Sequence, residues 1–205
     1  MTTSLRRRLR AGDPAAFREL FDADADAIYR YAARALGDRT TAEDVLSLTF
    51  LEAWRLRERL QSDGESVRPW LFGIATNVLR NTTRAARRHR AALARLPAPE
   101  AVPDHSDDVV DRIADDARLA AARRALNHLR PHEREVFLLC VWSGLDYAAA
   151  AEALGVPIGT VRSRLARART RLREVTPAIQ EPARRYGQLT GDRGYAVRSS
   201  QETAR

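Results

Sequence analysis

Lysine is absent from this chain: all 35 of its cationic residues, histidine aside, are arginine. Cysteine is nearly absent, and Cys140 alone excludes a disulfide framework and a cysteine-based zinc site. No apolar stretch approaches the roughly 20 residues that a membrane-spanning helix requires, so membrane insertion is not expected. Arg6-Arg7-Arg8 stand near the N-terminus without an apolar segment behind them. An export signal is therefore not expected, and a cytoplasmic protein is. There is no internal repeat and no glycine-rich phosphate loop. His89, His105, His128 and His132 are dispersed, with no acid–His or Cys–His set on a plausible scaffold. An enzyme is accordingly not expected, and no catalytic residue, metal site or cofactor is assigned.

What is present is a chain of 205 residues, enough for one or two small domains. Hydrophobic residues make up 44%, too many for a chain disordered throughout. Thirty-five basic residues against 27 acidic ones leave a formal net charge of +8, which points to a polyanionic partner. A solvated basic surface is the plainer alternative. Arginine supplies the planar fork that suits guanine and phosphate, although an all-arginine, alanine-rich chain is also what a GC-rich genome encodes.

The excess charge is concentrated. No acid occurs from Ser66 to Pro99, where Arg68, Arg80, Arg84, Arg87, Arg88, Arg90 and Arg95 accumulate. None occurs from Ala153 to Leu172 either, around which Arg162, Arg164, Arg167, Arg169, Arg171 and Arg173 gather. Between these blocks Glu100, Asp104, Asp107, Asp108, Asp111, Asp115 and Asp116 crowd a stretch that also holds Pro97, Pro99 and Pro103. Proline limits helix and like charges repel, so this stretch reads as an extended linker. Two basic blocks around an acidic linker suggest two contacts on one long polyanion. The polar segment that follows, with Pro177, Pro182, Gly187, Gly191 and Gly194, lacks core-forming periodicity and reads as disordered. Tyr186 and Tyr195 are its alternative role, as anchors for a regulatory partner.

Helical periodicity dominates, and the expected fold class is all-α: two small helical domains, the second a four-helix domain containing a helix-turn-helix, joined by the flexible acidic linker. A helix is expected from about Pro14 to Leu36, stopped by Gly37. A second opens at Thr41, with Asp44 three residues on in a capping-box pattern, and runs to about Leu60. Pro69 suits the first turn of a third, which continues past Asn81. Leu119 to Leu129 is rich in Ala and Leu, and Pro131 starts a helix ending near Gly144. Trp54 and Trp142 are expected in the core, and Cys140 as a small buried hydrophobe.

The sharpest signal is Asp146 to Gly155 followed by Val156 to Leu165, which reads as helix, tight turn, helix. Ala151 is small where two helices must approach, and Gly155 suits the left-handed turn residue. Thr160 is expected to cap the second helix. On a wheel at about 100° per residue, Val161, Leu165, Ala168 and Leu172 form one narrow buried stripe. Ser163, Ala166, Arg167 and Thr170 lie opposite. Arg162, Arg169 and Arg173 flank that face on one side, and Arg164 and Arg171 on the other. Small and hydrogen-bonding residues between two rows of cations suit a major groove, where base edges lie between two phosphate walls. The expected duplex-reading residues are Thr160, Arg162, Ser163, Arg164, Ala166 and Arg167.

The same wheel on Trp70 to Arg88 puts Leu71, Ile74, Ala75, Val78 and Ala85 on the apolar face. Gly73, Thr76, Arg80, Arg84 and Arg87 lie opposite, with Asn77, Asn81 and Arg88 along one margin. Amides beside an arginine stripe suit exposed bases and phosphates, and Trp70 offers a stacking surface. A solvated polar face is the alternative here.

As a set, these residues resemble the extracytoplasmic-function (ECF) group of bacterial RNA polymerase sigma factors. Gly144 to Arg169, containing Ala-Leu-Gly-Val-Pro-Ile-Gly-Thr-Val-Arg-Ser-Arg-Leu, is similar to that family's fourth-region helix-turn-helix. Ala42-Glu43-Asp44-Val45 with Thr49-Phe50-Leu51-Glu52-Ala53-Trp54 is similar to its polymerase-binding helix. Arg68-Pro69-Trp70-Leu71-Phe72-Gly73-Ile74-Ala75-Thr76-Asn77 is similar to its promoter-melting segment. The resemblance covers roughly residues 14–175.

It implies a basic N-terminal segment at 1–13, a region 2 domain at 14–95, the acidic linker at 96–117, a region 4 domain at 118–175 and a tail at 176–205. It implies that the chain binds core RNA polymerase, at the beta-prime clamp and beta flap, and directs promoter-specific initiation. The second domain would read the minus-thirty-five element as duplex. The first would capture the melted minus-ten strand through Trp70, Asn77, Arg80, Asn81, Arg84, Arg87 and Arg88, with Asn77 at the base-capturing position. Extruding a base costs a few kcal/mol, which hydrogen bonds and stacking must offset. Glu43, Asp44, Ser47 and Phe50 would contact the polymerase. Ser47-Leu48 stands where the family usually has a polar or acidic pair, a departure that bears on the strength of that contact. The linker would lie in the enzyme's cationic channel as a nucleic-acid mimic. An anti-sigma factor is a further implied partner, able to hold at the membrane a protein that is nucleoid-associated when active. A helix-turn-helix regulator without polymerase contact is the competing reading.

Overall fold

The structure, a computed structural model, describes residues 4–61, 66–95 and 124–175. The whole of the acidic linker at 96–117, the start of the second domain, the tail at 176–205, His105, Tyr186 and Tyr195 lie outside the described residues. Among the described residues every regular element is helical, as the sequence periodicity predicts.

Helix α1 spans Leu5–Arg10 and α2 spans Pro14–Leu36. Asp13 caps α2, its carboxylate accepting from the Ala15 N–H at 2.9 Å. Gly37 ends it in a left-handed conformation at φ 70°, its N–H donating to Ala33 at 2.7 Å. Helix α3 spans Arg39–Leu56 and starts earlier than expected. Asp38, not Thr41, is the cap: its carboxylate accepts from the Thr41 N–H at 2.9 Å. An acid three residues ahead reaches that donor, and this draws Arg39 and Thr40 into the first turn. The helix ends at Leu56 rather than Leu60, tightening into a 3₁₀ turn at Arg57–Arg59. Helix α4 spans Arg68–Leu93, with Pro69 in its first turn.

A helical turn at 124–127 precedes α5, Pro131–Phe137, which widens into a π-helical stretch at Leu138–Trp142. Helix α6 spans Tyr147–Leu154 and α7 spans Ile158–Val175. α2 and α3 pack side by side, α4 lies against α3, and α6 crosses α4 on its other side. α7 packs over α5 and α6.

The position of α4 corrects the helical wheel. Thr76, expected on a polar face, is buried, and its hydroxyl lies 2.9 Å from the Tyr31 hydroxyl. Tyr31 also meets Phe72 edge-on, with centroids 5.5 Å apart, and burial pushes its phenol well above the ordinary range. Gly73 lies under α6 rather than facing solvent: a Cβ there would stand 2.8 Å from the Ala153 carbonyl oxygen. Ala85, expected to be buried, is exposed. The first half of α4 is covered on two sides, whereas from residue 84 onward it projects with every side chain exposed. A wheel assumes one broad wet face along the whole length, and on the first half of α4 that face narrows to a strip through Trp70, Asn77 and Arg80.

Val161, Leu165 and Ala168 fill the stripe assigned to the core of the second module, while Leu172 at its end is half-buried. A fully buried Leu such as Leu165 contributes about 1.5–3 kcal/mol. Trp54 departs from its expected core position. It is 40% exposed, with its ring edge-on to Phe17 at 4.7 Å and the Arg57 guanidinium 4.7 Å from its centroid. Trp142 and Cys140 are half-buried, and burial pushes the Cys140 thiol up to about 11.

Gly155 holds φ 64° with open space where a Cβ would sit. Gly155→Ala therefore adds backbone strain without a clash. It should lower stability by about 1–2 kcal/mol in urea unfolding monitored by circular dichroism.

Candidate nucleic-acid interface

The helix-turn-helix is built from local rules. Asp146 caps α6 by accepting from the Ala149 N–H at 2.7 Å. Ala150 and Ala151 are buried where the two helices meet, and left-handed Gly155 turns the chain. α7 then opens at Ile158, two residues before the expected cap. The Pro157 carbonyl accepts from the Thr160 N–H at 2.9 Å and the Val161 N–H at 3.2 Å. Thr160 thus lies inside the first turn, half-buried, and is not the cap.

The outer face of α7 carries Arg162, Ser163, Ala166, Arg167 and Thr170, all exposed, with Arg164 half-buried beside them. The hydroxyl of Ser163 donates to the Thr160 carbonyl at 3.0 Å. Arg167 folds back on it, Nε donating to the Ser163 carbonyl at 3.1 Å and Nη2 contacting its hydroxyl at 3.2 Å. The Arg162 guanidinium lies 5.8 Å from the centroid of Tyr147, which opens α6. These contacts are weak and exposed, so the side chains can re-aim at a ligand.

One expected flank is spent on structure. Arg171 donates to Glu133 at 2.8 Å, and Glu133 is fully buried. The same carboxylate oxygen accepts from the Arg130 N–H at 3.1 Å, capping α5. A buried carboxylate needs a charged partner, and Arg171 is the cation within reach, so it ties α7 to α5 rather than standing free for phosphate.

On α4, Asn77, Asn81, Arg84, Arg87 and Arg88 are exposed and Trp70 is half-buried. Arg80 is engaged: Nε and Nη2 donate to the two carboxylate oxygens of Glu135 at 2.6 and 2.7 Å. Its remaining terminal nitrogen, Nη1, donates to Asn77 Oδ1 at 3.2 Å.

On α3, Glu43, Asp44 and Ser47 are exposed, and Phe50 is half-buried with its ring 4.9 Å from Phe21. Sequence reasoning missed what lies beside them. Phe21, Leu48, Leu51 and Trp54 are all exposed, a set of large apolar side chains on α2 and α3. Their signal was in the i, i+4 spacing. Leu48 follows Asp44 and Leu51 follows Ser47, away from the row Ala42, Val45, Thr49 and Ala53 that packs inward. Exposed apolar patches of this kind mark protein contacts.

Among the described residues no His, Cys, Asp and Glu group is placed to hold a metal ion. None of the described helices is long and apolar enough to cross a membrane.

A helix-turn-helix whose second helix presents arginines to solvent defines a DNA-binding protein of the helix-turn-helix class. Family comparison goes further. Residues 20–89 match sigma-70 region 2, and residues 119–172 match sigma-70 region 4. The ECF RNA polymerase sigma factor SigL of Mycobacterium tuberculosis is 34% identical over 160 residues, covering 76% of this chain and 85% of that protein. The ECF RNA polymerase sigma factor SigE of Mycolicibacterium smegmatis is 36% identical over 167 residues, covering 80% of this chain and 63% of that longer protein. The fold is similar to that of the sigma factor RpoE from Bartonella quintana, solved with the anti-sigma factor NepR. The TM-score is 0.59 at 26% identity, over 80% of this chain and 98% of the other. The chain belongs to the ECF RNA polymerase sigma factors.

Glu133→Gln keeps the shape of the cap but removes the charge that Arg171 satisfies. It should cost about 2 kcal/mol of stability. Chemical unfolding of the variant against the parent measures this, and an unchanged midpoint would refute the role given to Glu133.

Proposed function

We propose that the chain binds core RNA polymerase and directs initiation at promoters with two elements, one read as duplex and one as single strand. The observation that carries the reading is the exposed outer face of α7. A row of small and polar residues with Arg162, Arg164 and Arg167 stands in a region 4 match, on the same chain as a region 2 match. In this reading Thr160, Arg162, Ser163, Arg164, Ala166 and Arg167 face the minus-thirty-five element. Bidentate contact of an arginine with guanine supplies base choice, and the other cations supply salt-dependent affinity for phosphate.

The exposed side of α4 takes the minus-ten strand. Asn77 captures an extruded base, Trp70 stacks or wedges, and Arg80, Asn81, Arg84, Arg87 and Arg88 hold the backbone. Glu43, Asp44, Ser47 and Phe50 bind the polymerase clamp, together with the apolar side chains of Leu48 and Leu51. Leu48 stands where an acid is usual in the family, so here contact area replaces part of the charge. The region boundaries are 14–95 and 118–175, with the acidic stretch 96–117 between them. The chain contributes recognition, not a catalytic group. It works in the cytoplasm, at the nucleoid when active. An anti-sigma factor is the natural regulator, as NepR is the partner of RpoE in the similar structure. The exposed apolar side chains beside Glu43 and Asp44 favour this reading over a regulator without polymerase contact, which leaves them without a role.

Run-off transcription with core polymerase on a random promoter library tests the proposal directly. Core-dependent transcripts sharing two spaced elements are expected, and no association with core polymerase would overturn it. Arg167→Ala should lose about 1–3 kcal/mol of discrimination at a single upstream base pair. An unchanged base preference in the selected promoters would remove Arg167 from the groove. Asn77→Ala should slow open-complex formation, followed by permanganate footprinting, while leaving duplex binding near its parent value. Equal loss in both would count against base capture.

A further inference from the structure

Tyr147 is a large side chain left on the surface with a cation beside it. It is the first residue of α6, it is 37% exposed, and the Arg162 guanidinium lies 5.8 Å from its ring centroid. Among the described residues, no hydrogen bond engages the Tyr147 hydroxyl or the Arg162 guanidinium. Ile158, also exposed, stands one turn before Arg162 on the same side of α7. Tyr147 and Ile158 are the large apolar side chains that the second module exposes among the described residues, and both border Arg162.

Each partner of the ring contact is fixed from below. Asp146 caps α6 by accepting from the Ala149 N–H, which sets the backbone of Tyr147, and Ala150 and Ala151 behind it are buried. On α7, Val161 and Leu165 are buried and lock the turn that carries Arg162. The Val156 N–H donates to the Ala151 carbonyl at 3.1 Å and ties the turn between the helices. Ring and guanidinium are therefore brought together by packed backbones. The kind of contact matters. An arginine in an ion pair spends its donors, as Arg80 does on Glu135 and Arg171 on Glu133. An arginine over a ring is held by its charge against the face of the ring, and its N–H donors stay available to a ligand. The ring also restricts a long side chain that would otherwise lose its rotamer freedom on binding.

We propose that Tyr147 is a positioning residue for duplex DNA: it holds Arg162 ready to take two oxygens of one backbone phosphate. The proposal rests on the assignment of α7 to the upstream duplex made above. In a helix-turn-helix the first helix crosses the sugar–phosphate backbone while the second enters the major groove. Arg162 stands on the flank of α7 turned toward the start of α6, where it meets Tyr147, so it faces the phosphate wall that α6 crosses. Arg167 stands on the other side of the outer face and folds onto Ser163 of α7 itself. The two arginines divide the work. Arg162, aimed from α6, supplies sequence-blind affinity, and Arg167 supplies base choice.

Two substitutions separate the ring from the hydroxyl. Tyr147→Leu keeps apolar bulk and removes the ring, whereas Tyr147→Phe keeps the ring and removes the hydroxyl. Each is made in the full chain, alone and together with Arg162→Ala, and assembled with core polymerase. Fluorescence anisotropy then measures binding to a duplex carrying the upstream element and to its single-base variants. Tyr147→Leu should weaken binding about two- to fivefold on every sequence alike, and Tyr147→Phe should bind as the parent does. In the Arg162→Ala background Tyr147→Leu should cost nothing further. Arg162→Ala should also lower the salt slope by about one. Equal loss in the Leu and Phe variants, or a loss that persists without Arg162, overturns the positioning role. A changed preference at a single base pair in Tyr147→Leu overturns the assignment to phosphate.

A second measurement needs neither DNA nor polymerase. In the free, isotope-labelled full chain the ring current of Tyr147 shifts the side-chain δ-methylene NMR signal of Arg162, identified by its loss in Arg162→Lys. Tyr147→Leu should move that signal to the position of an unstacked arginine, and Tyr147→Phe should leave it in place. An unmoved signal in Tyr147→Leu overturns the contact. A silent Tyr147→Leu beside an effective Arg162→Ala is a failure of the positioning role alone. An Arg162→Ala variant with unchanged upstream binding is a failure of the duplex assignment of that flank, and the proposal falls with it.

Discussion

The Ala153 carbonyl oxygen stands where a side chain on Gly73 would begin, and the seating of the second module on the first depends on that vacancy. α4 can be crossed there because its backbone is bare on one side. Its other side carries Leu71, Phe72, Ala75 and Val78 into the core shared with Tyr31 and Val45. A helix covered on two faces is held more firmly than one lying on the surface. Its covered first half forms a rigid base from which the arginine-bearing second half projects. Asn77 lies at the boundary between the two halves, exposed itself and flanked by the buried Thr76 and Val78. The base-capturing role proposed for Asn77 would gain from that position, because the backbone beneath it is fixed by packing.

The arginines divide into three uses. Some lie on exposed faces without a buried partner, among them Arg162, Arg84 and Arg87. Some repair a buried charge, as Arg171 does for Glu133. Some bridge the modules, as Arg80 and Arg34 do. The forked guanidinium serves all three, because paired carboxylate oxygens and phosphate oxygens offer it nearly the same geometry. A carboxylate of the second module, Glu135, accordingly takes both ends of the Arg80 fork.

Much of the fold was legible because its signals are local. Gly37 and Gly155 were read as stops from the helix patterns before them, and both adopt left-handed conformations. Pro14, Pro69 and Pro131 stand in first turns. The Val161, Leu165 and Ala168 stripe follows from helical spacing alone. Several misreadings share one cause. Thr76, Gly73 and Arg171 were placed on an open face from an isolated helix, and each is claimed by another helix distant in sequence. Trp54 was placed in the core on hydrophobicity, yet no helix among the described residues covers its outer edge. Thr41 lost the capping role to Asp38, whose carboxylate accepts from the Thr41 N–H itself and so starts the helix earlier.

The sequence by itself determined the helical class, the helix-turn-helix with its arginine-flanked face, and the family resemblance. Each depends on residue type at fixed short spacing, and backbone geometry turns such spacing into position without help from the rest of the chain. Tertiary structure alone decided which arginines remain free, which face of α4 stays wet, and that Leu48, Leu51 and Trp54 are exposed together. Those outcomes depend on contacts such as Arg80 with Glu135, 55 residues apart. Such pairings become defined only when the chain packs, because the spacing along one helix carries no record of the neighbour that will lie across it.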